Sequence, residues 1–349
     1  MSEDGEDGHL EVRPRAKINL TLAVGPRRVD GFHAIRSVFM LVGLADHLAV
    51  GTAEGSDDRL ETYPTDASPP AAPRGRVGDG AGTGIGSAVV GPVAGARTDD
   101  LVLRATRELR AELGRMRPSA LVFRLLKRIP VAAGLGGGSS DAAAALDLAG
   151  RAWSVGLPAA RRQAVAARVG SDVPFFASGA VAALVTGRGE DVSPLPPPRG
   201  SVGVLLVTPG IRLSTADVFA AFDELGQPPS GRVGVTADAT AQLAASLAGG
   251  MSGEALAESA ASLRDANDLW PAAAAVAPEL PALREAAERA LARPVLFTGS
   301  GATLFCLYPS PGHAVEAGRS FVEHLRPRIA DARVAACDLD GPDPAWRFP

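Results

Sequence analysis

The sequence predicts a mixed α+β fold in two parts. Apolar runs of strand length and amphipathic runs of helix length are both present, they do not alternate strictly as β-α-β units would, and the run PLPPP at 194–198 marks a seam near the middle of the 349 residues. That length suits one large or two medium domains, and 46% hydrophobic with 21% charged residues excludes a disordered chain. Segments 1–194 and 195–349 are taken as the N-terminal and C-terminal domains.

The acidic start, MSEDGEDGHL, lacks the basic beginning and apolar centre of a signal peptide, and no apolar run reaches the roughly 18 residues that span a bilayer. Residues 15–24, RAKINLTLAV, alternate apolar and polar side chains, which predicts a strand with one buried face and places Lys17 and Asn19 together. Residues 36–50 hold two further apolar runs broken at 43–47, so an antiparallel sheet is expected near the N-terminus. Residues 64–97 turn to Gly, Pro, Ala and Ser with few large apolar groups, the composition of a flexible surface insertion. Thr98 then reads as the cap of an amphipathic helix over 99–113, with Asp99 and Asp100 in its first turn and Gly114 past its end.

An apolar strand at 120–126 runs into a glycine-rich loop and an alanine-rich helix. A helix at 158–169 leads to GSDVPFF at 170–176 and a strand at 180–186. The second half predicts a strand at 202–207, helices at 215–225, 237–248, 265–275 and 280–291, and a strand pair around 295–308 interrupted by TGSGAT. A helix at 314–325 and a strand at 333–336 follow, and no internal repeat is present.

Charge and composition narrow the function. Thirty-five basic against 39 acidic residues leave a net charge of −4, so no broad basic field favours nucleic acid. Cys306 and Cys337 cannot build a disulfide framework or a four-ligand zinc site, and the five histidines show no metalloprotease spacing. A reducing cytoplasm and a small-molecule ligand, without membrane attachment, are the expectation.

The informative segment is Pro130, Val131, Ala132, Ala133, Gly134, Leu135, Gly136, Gly137, Gly138, Ser139 and Ser140, with four glycines in five residues before a helix. Glycine lets the backbone approach an anion closely, and the free amides and dipole of a helix N-terminus favour negative charge. Phosphate is the ligand this chemistry suits. The segment is neither a Walker A loop nor G-x-G-x-x-G, and taken alone it also fits a plain flexible loop with Ser139 as a helix cap.

The full string PVAAGLGGGSS resembles the ATP-binding loop of the GHMP kinases, the superfamily of galactokinase, homoserine kinase and mevalonate kinase. RAKINLTL at 15–22, DGFH at 30–33, GSDVPFF, NDL at 267–269 and TGSGAT at 298–303 follow the order and spacing of one branch, which phosphorylates the 2-hydroxyl of a cytidine diphosphate-linked methylerythritol in non-mevalonate isoprenoid synthesis. The resemblance implies a ribosomal protein S5 domain 2-like N-terminal domain, a C-terminal α/β-sandwich GHMP domain, and an active site in the cleft between them. It also implies ATP with Mg²⁺, and a monomer or homodimer.

Further roles come with the resemblance. Lys17 becomes the catalytic lysine, although alone it reads as a solvated residue on an edge strand. Asp172 becomes the general base and Lys17's partner, where alone it reads as a cap before Pro174. Asn19 fixes the substrate, Phe32 stacks on the cytosine, and His33 reads its polar edge. Gly299, Ser300 and Gly301, otherwise a tight turn, close the site near the phosphates. Phe32 stands where tyrosine is usual in that branch and Asp100 where asparagine is frequent. Asp141 fits either a first-turn helix acid or a group approaching Mg²⁺. Two rival readings remain: another GHMP kinase, acting on mevalonate, homoserine or a sugar, and a non-catalytic nucleotide sensor.

Overall fold

The computed structural model describes residues 10–53, 55, 57–64, 100–114, 116, 118–226, 234–325, 331–339 and 346–348. Nearly all of the insertion expected at 64–97, and Thr98 with it, lies outside them. The chain forms two compact units that interleave along the sequence.

The first unit takes in the described parts of Met1–Pro14, Ala45–Ile129 and Gly137–Ser178. Its sheet contains β1 (Leu10–Val12), β4 (His47–Ala53), β5 (Arg59–Tyr63) and β6 (Ala120–Leu126) in the order β1-β4-β6-β5. β4 pairs antiparallel with β6, while β5 lies parallel to β6 with Arg59 opposite Val122. The helices α1 (Leu101–Leu113), α2 (Gly137–Ala152), α3 (Ala159–Val169) and α4 (Val173–Ala177) complete it. The alanine-rich face of α2, with Ala142, Ala145 and Ala149 buried, packs in one core with Phe123 of β6 and Leu109 of α1. The α1 cap is Asp100, whose side chain accepts from the Val102 amide at 2.8 Å, so the helix starts two residues after the expected one.

The second unit takes in Arg15–Leu44, Pro130–Gly136 and the described residues of Gly179–Pro349. One sheet is ordered β2-β3-β7-β8, from β2 (Arg15–Arg27), β3 (His33–Ala45), β7 (Ala182–Thr186) and β8 (Asp191–Leu195). The three strands expected near the N-terminus therefore divide between two sheets, because the chain breaks at Asp46 and β4 pairs with β6. Pro194, in the expected seam, is tolerated in β8 because β8 is the last strand of its sheet. A second sheet, β10-β11-β9-β12-β13, joins β9 (Gly203–Thr208), β10 (Leu296–Phe297), β11 (Leu304–Tyr308), β12 (Arg333–Cys337) and β13 (Trp346–Phe348).

Its helices are α5 (Thr215–Leu225), α6 (Val235–Ala248), α7 (Gly253–Glu258), α8 (Ala260–Leu263), α9 (Trp270–Val276), α10 (Glu279–Leu291) and α11 (Pro311–Leu325). The helix expected over 265–275 is interrupted. Asn267 and Asp268 instead turn their backbone toward β2, where the Leu22 amide donates to Ala266 and the Asp268 amide to Leu22. Cys306 and Cys337 are buried and form no disulfide, and burial pushes the Cys306 thiol up to about 12.

Candidate active site

β2 was expected to bury one face, yet Ala16 through Ala23 are all buried. Lys17 is 3% exposed, so the solvated-lysine reading fails. Its ammonium donates to Asn19 Oδ1 at 2.6 Å and lies 4.7 Å from the centre of the Phe39 ring. The shared face of the strand brings Lys17 and Asn19 together as the alternation predicts. Asn19 Nδ2 donates to Ser37 Oγ at 2.9 Å, and its backbone amide to Thr298 Oγ1 at 2.8 Å. Both ends of the Asn19 amide are thus bonded within the protein, which holds its oxygen on Lys17.

Thr298 opens the TGSGAT turn, and this turn meets the glycine loop. The Thr303 amide donates to Ala133 O at 3.3 Å and the Lys17 amide to Leu135 O at 2.9 Å. Gly134 and Gly136 have φ of +76° and +69°, a left-handed conformation that favours glycine. At Gly134 the space is also closed: a Cβ would lie 2.5 Å from Thr298 O and 3.0 Å from Gly301 O. Asn267, of the NDL string, is buried and its Nδ2 donates to Phe297 O and Gly299 O at 3.1 and 3.0 Å. Asn267 and Thr298 therefore anchor the turn, and residue types alone did not single either out. Ser300 Oγ lies 2.9 Å from Thr215 Oγ1.

The loop passes from Pro130–Gly136 into α2, which starts at Gly137. Ser139 and Ser140 lie inside the first helical turn, so Ser139 is not the cap. Val131 and Ala132 are exposed, and Ala132 also adopts a positive φ of +55°. Asp172 occupies the N-cap position of α4 but makes no capping bond with its side chain, so the plain cap reading fails as well. It is half-buried.

DGFH forms the hairpin turn between β2 and β3. Asp30 accepts from the Phe32 amide, and Arg28 N donates to Phe32 O at 2.7 Å. Phe32 stands 50% exposed with the Arg188 guanidinium 5.1 Å from its ring centre. His33 is buried against Phe219, its ring stacked at 5.3 Å, and its Nδ1 lies 2.9 Å from Gly25 O. Its Nε2 is buried 3.0 Å from Asp223 Oδ1 but outside hydrogen-bond geometry.

Both halves of one kinase class match this chain: the GHMP kinases N terminal domain over residues 100–180 and the GHMP kinases C terminal domain over 242–326. A homoserine kinase from Cytophaga hutchinsonii, 15% identical with a TM-score of 0.64, shares the fold over 97% of this chain and 95% of its own. The crystal structure of a 4-(cytidine 5'-diphospho)-2C-methyl-D-erythritol kinase matches with a TM-score of 0.62 and 29% identity, over 94% of this chain and 98% of that one. In sequence, the 4-diphosphocytidyl-2-C-methyl-D-erythritol kinase of Symbiobacterium thermophilum is 36% identical over 93% of this chain and 98% of its own length. That of Thermobifida fusca is 39% identical over 88% and 89%. The chain belongs to the 4-diphosphocytidyl-2-C-methyl-D-erythritol kinase family of GHMP kinases.

Proposed function

We propose that the chain transfers the γ-phosphoryl group of ATP to the 2-hydroxyl of 4-diphosphocytidyl-2-C-methyl-D-erythritol, in the non-mevalonate route to isoprenoid precursors. The observation that carries this reading is the relationship to a kinase of that name over 98% of its length, with the DGFH turn present. The 194/195 seam separates the two matched family domains, whereas the compact units interleave across it and β8 spans it.

In this reading Pro130 through Ser140 wrap the ATP phosphates with backbone amides, and Gly299, Ser300 and Gly301 back the loop. Asp172 takes the alcohol proton, and Lys17, held by Asn19, stabilises charge developing on the transferred group. Phe32 stacks on the cytosine while His33 Nε2 meets its polar edge. Bound Mg²⁺ would supply neutralisation of phosphate charge beside the glycine loop. Two buried cysteines that form no disulfide suit a reducing cytoplasm, and no described helix is long and apolar enough to cross a membrane.

The test is ADP release with Mg²⁺ and ATP, offering 4-diphosphocytidyl-2-C-methyl-D-erythritol, mevalonate, homoserine and galactose at equal concentration. Turnover with the cytidyl substrate alone is expected. Turnover with another alcohol discards the named substrate, and silence with all four favours the sensor. Within the same assay Phe32→Leu should raise KM for the cytidyl substrate on the order of tenfold, the scale of one lost base stack, and leave KM for ATP unchanged. Equal rises in both constants would remove Phe32 from the base site.

A further inference from the structure

Three charged side chains in the first unit are used by nothing above. Asp46, at the break between β3 and β4, is completely enclosed; Lys127 follows β6; and Asp141 lies in the first turns of α2. The Lys127 ammonium donates to Asp141 Oδ2 at 2.8 Å and to Asp46 Oδ2. The other Asp46 oxygen accepts from the backbone amides of Arg128 and Ile129, the latter at 2.8 Å. Arg128 and Ile129 are where the chain runs into the glycine loop, and Gly137 to Asp141 are where it leaves. The ammonium also closes on that exit, since a Cβ on Gly137 would lie 3.3 Å from Lys127 Nζ. The three groups tie the two ends of the loop together.

Their charges do not balance. Two buried carboxyls share one ammonium, Asp141 Oδ1 is buried with no hydrogen-bond partner, and Asp46 is close enough to act on the Asp141 carboxyl. Burial holds the Asp141 carboxyl well above the ordinary carboxylate range, with Lys127 opposing and Asp46 adding to the effect. Burial also works against the charge of Lys127, and the Asp46 carboxylate opposes that effect. Lys127 and Asp46 are the charged groups acting on Asp141.

We propose that Asp46, Lys127 and Asp141 form a clasp that positions the ATP loop at its neck, with Asp141 as a neutral acid donating its proton to the Asp46 carboxylate. Asp46 and Lys127 then cancel, and no net negative charge lies where the chain enters and leaves a loop that receives phosphates. All three are positioning residues. The inference rests on the reading of Pro130 through Ser140 as the ATP loop.

Asparagine at 141 reproduces the proposed state, its oxygen accepting from Lys127 and its amide donating to Asp46, whereas alanine abolishes both contacts. ATP binding by equilibrium dialysis and steady-state kinetics on the full chain separate the cases. Asp141→Ala is expected to raise Kd and KM for ATP at least tenfold with kcat within about threefold, and Asp141→Asn to restore both constants to within about threefold of the parent. An infrared difference spectrum, parent minus Asp141→Asn at neutral pH, should contain the carbonyl band of a protonated carboxylic acid. Parent protein that binds no ATP overturns the loop reading and the clasp together. Parent-like ATP binding by Asp141→Ala, or a fall in kcat at unchanged KM, overturns the clasp alone. An Asn variant as weak as the Ala variant, or no acid band, overturns the proton assignment.

Discussion

Replacing Asp172 with asparagine is expected to lower kcat on the order of 10²-fold or more while leaving ATP affinity within about twofold. The side chain makes no capping bond in α4, so its loss removes no helix cap, and asparagine keeps its shape. The attacked 2-hydroxyl is a tertiary, weakly acidic alcohol. Positioning and charge stabilisation therefore carry much of the rate, and the base contributes toward the lower end of the usual 10²- to 10⁴-fold range. Rapid-quench turnover at saturating substrate with a parallel ATP titration checks it. Matching losses of turnover and ATP binding would remove Asp172 from the role of base.

The second large effect is on stability. Gly134→Ala should destabilise the fold by about 2–4 kcal/mol, combining a strained left-handed residue with overpacking at a site that cannot yield. The neighbours of the new Cβ are backbone atoms of Thr298 and Gly301, not the end of a flexible side chain. Thr298 is pinned by the Asn19 amide and Gly299 by Asn267, so the turn cannot move aside cheaply. Gly138→Ala is the internal contrast. Its Cβ would meet only Leu101 Cδ1, at an ordinary 3.5 Å, and it lies within α2 where alanine is favoured. Urea unfolding should show a lower midpoint for Gly134→Ala and an unchanged or higher one for Gly138→Ala. Equal midpoints would mean that the loop relaxes away from the turn.

How far the sequence could be read depended on the range of the interaction. The helix at Thr215–Leu225 and the strand at Ala120–Leu126 emerge with the expected limits, because apolar spacing and Gly226 report local conformation. β1, β5, β8 and β13 were not anticipated. They are three to five residues long, too short for periodicity to register, and they form by pairing with strands already present. The helix expected over 265–275 broke for a related reason. Alanine-rich spacing favours a helix there, but the backbone at Ala266 and Asp268 pairs with Leu22, more than 240 residues earlier.

The sequence by itself determined the chemistry on offer: a glycine loop suited to phosphate, Lys17 and Asn19 on one side of a strand, and an aromatic beside a histidine in a turn. Each of these is a pattern within about a dozen residues, where covalent spacing sets what can face what. Only the tertiary structure decided that Lys17 is buried and held by Asn19, that Asn267 and Thr298 lock the glycine turn against Gly134, and that Lys127 takes two carboxyl groups. Those partners lie from 14 to 279 positions apart, apart from the Lys17 and Asn19 pair. The physical reason is that a buried polar group must find whatever donor or acceptor the folded chain brings to it, and local residue spacing carries no record of that choice.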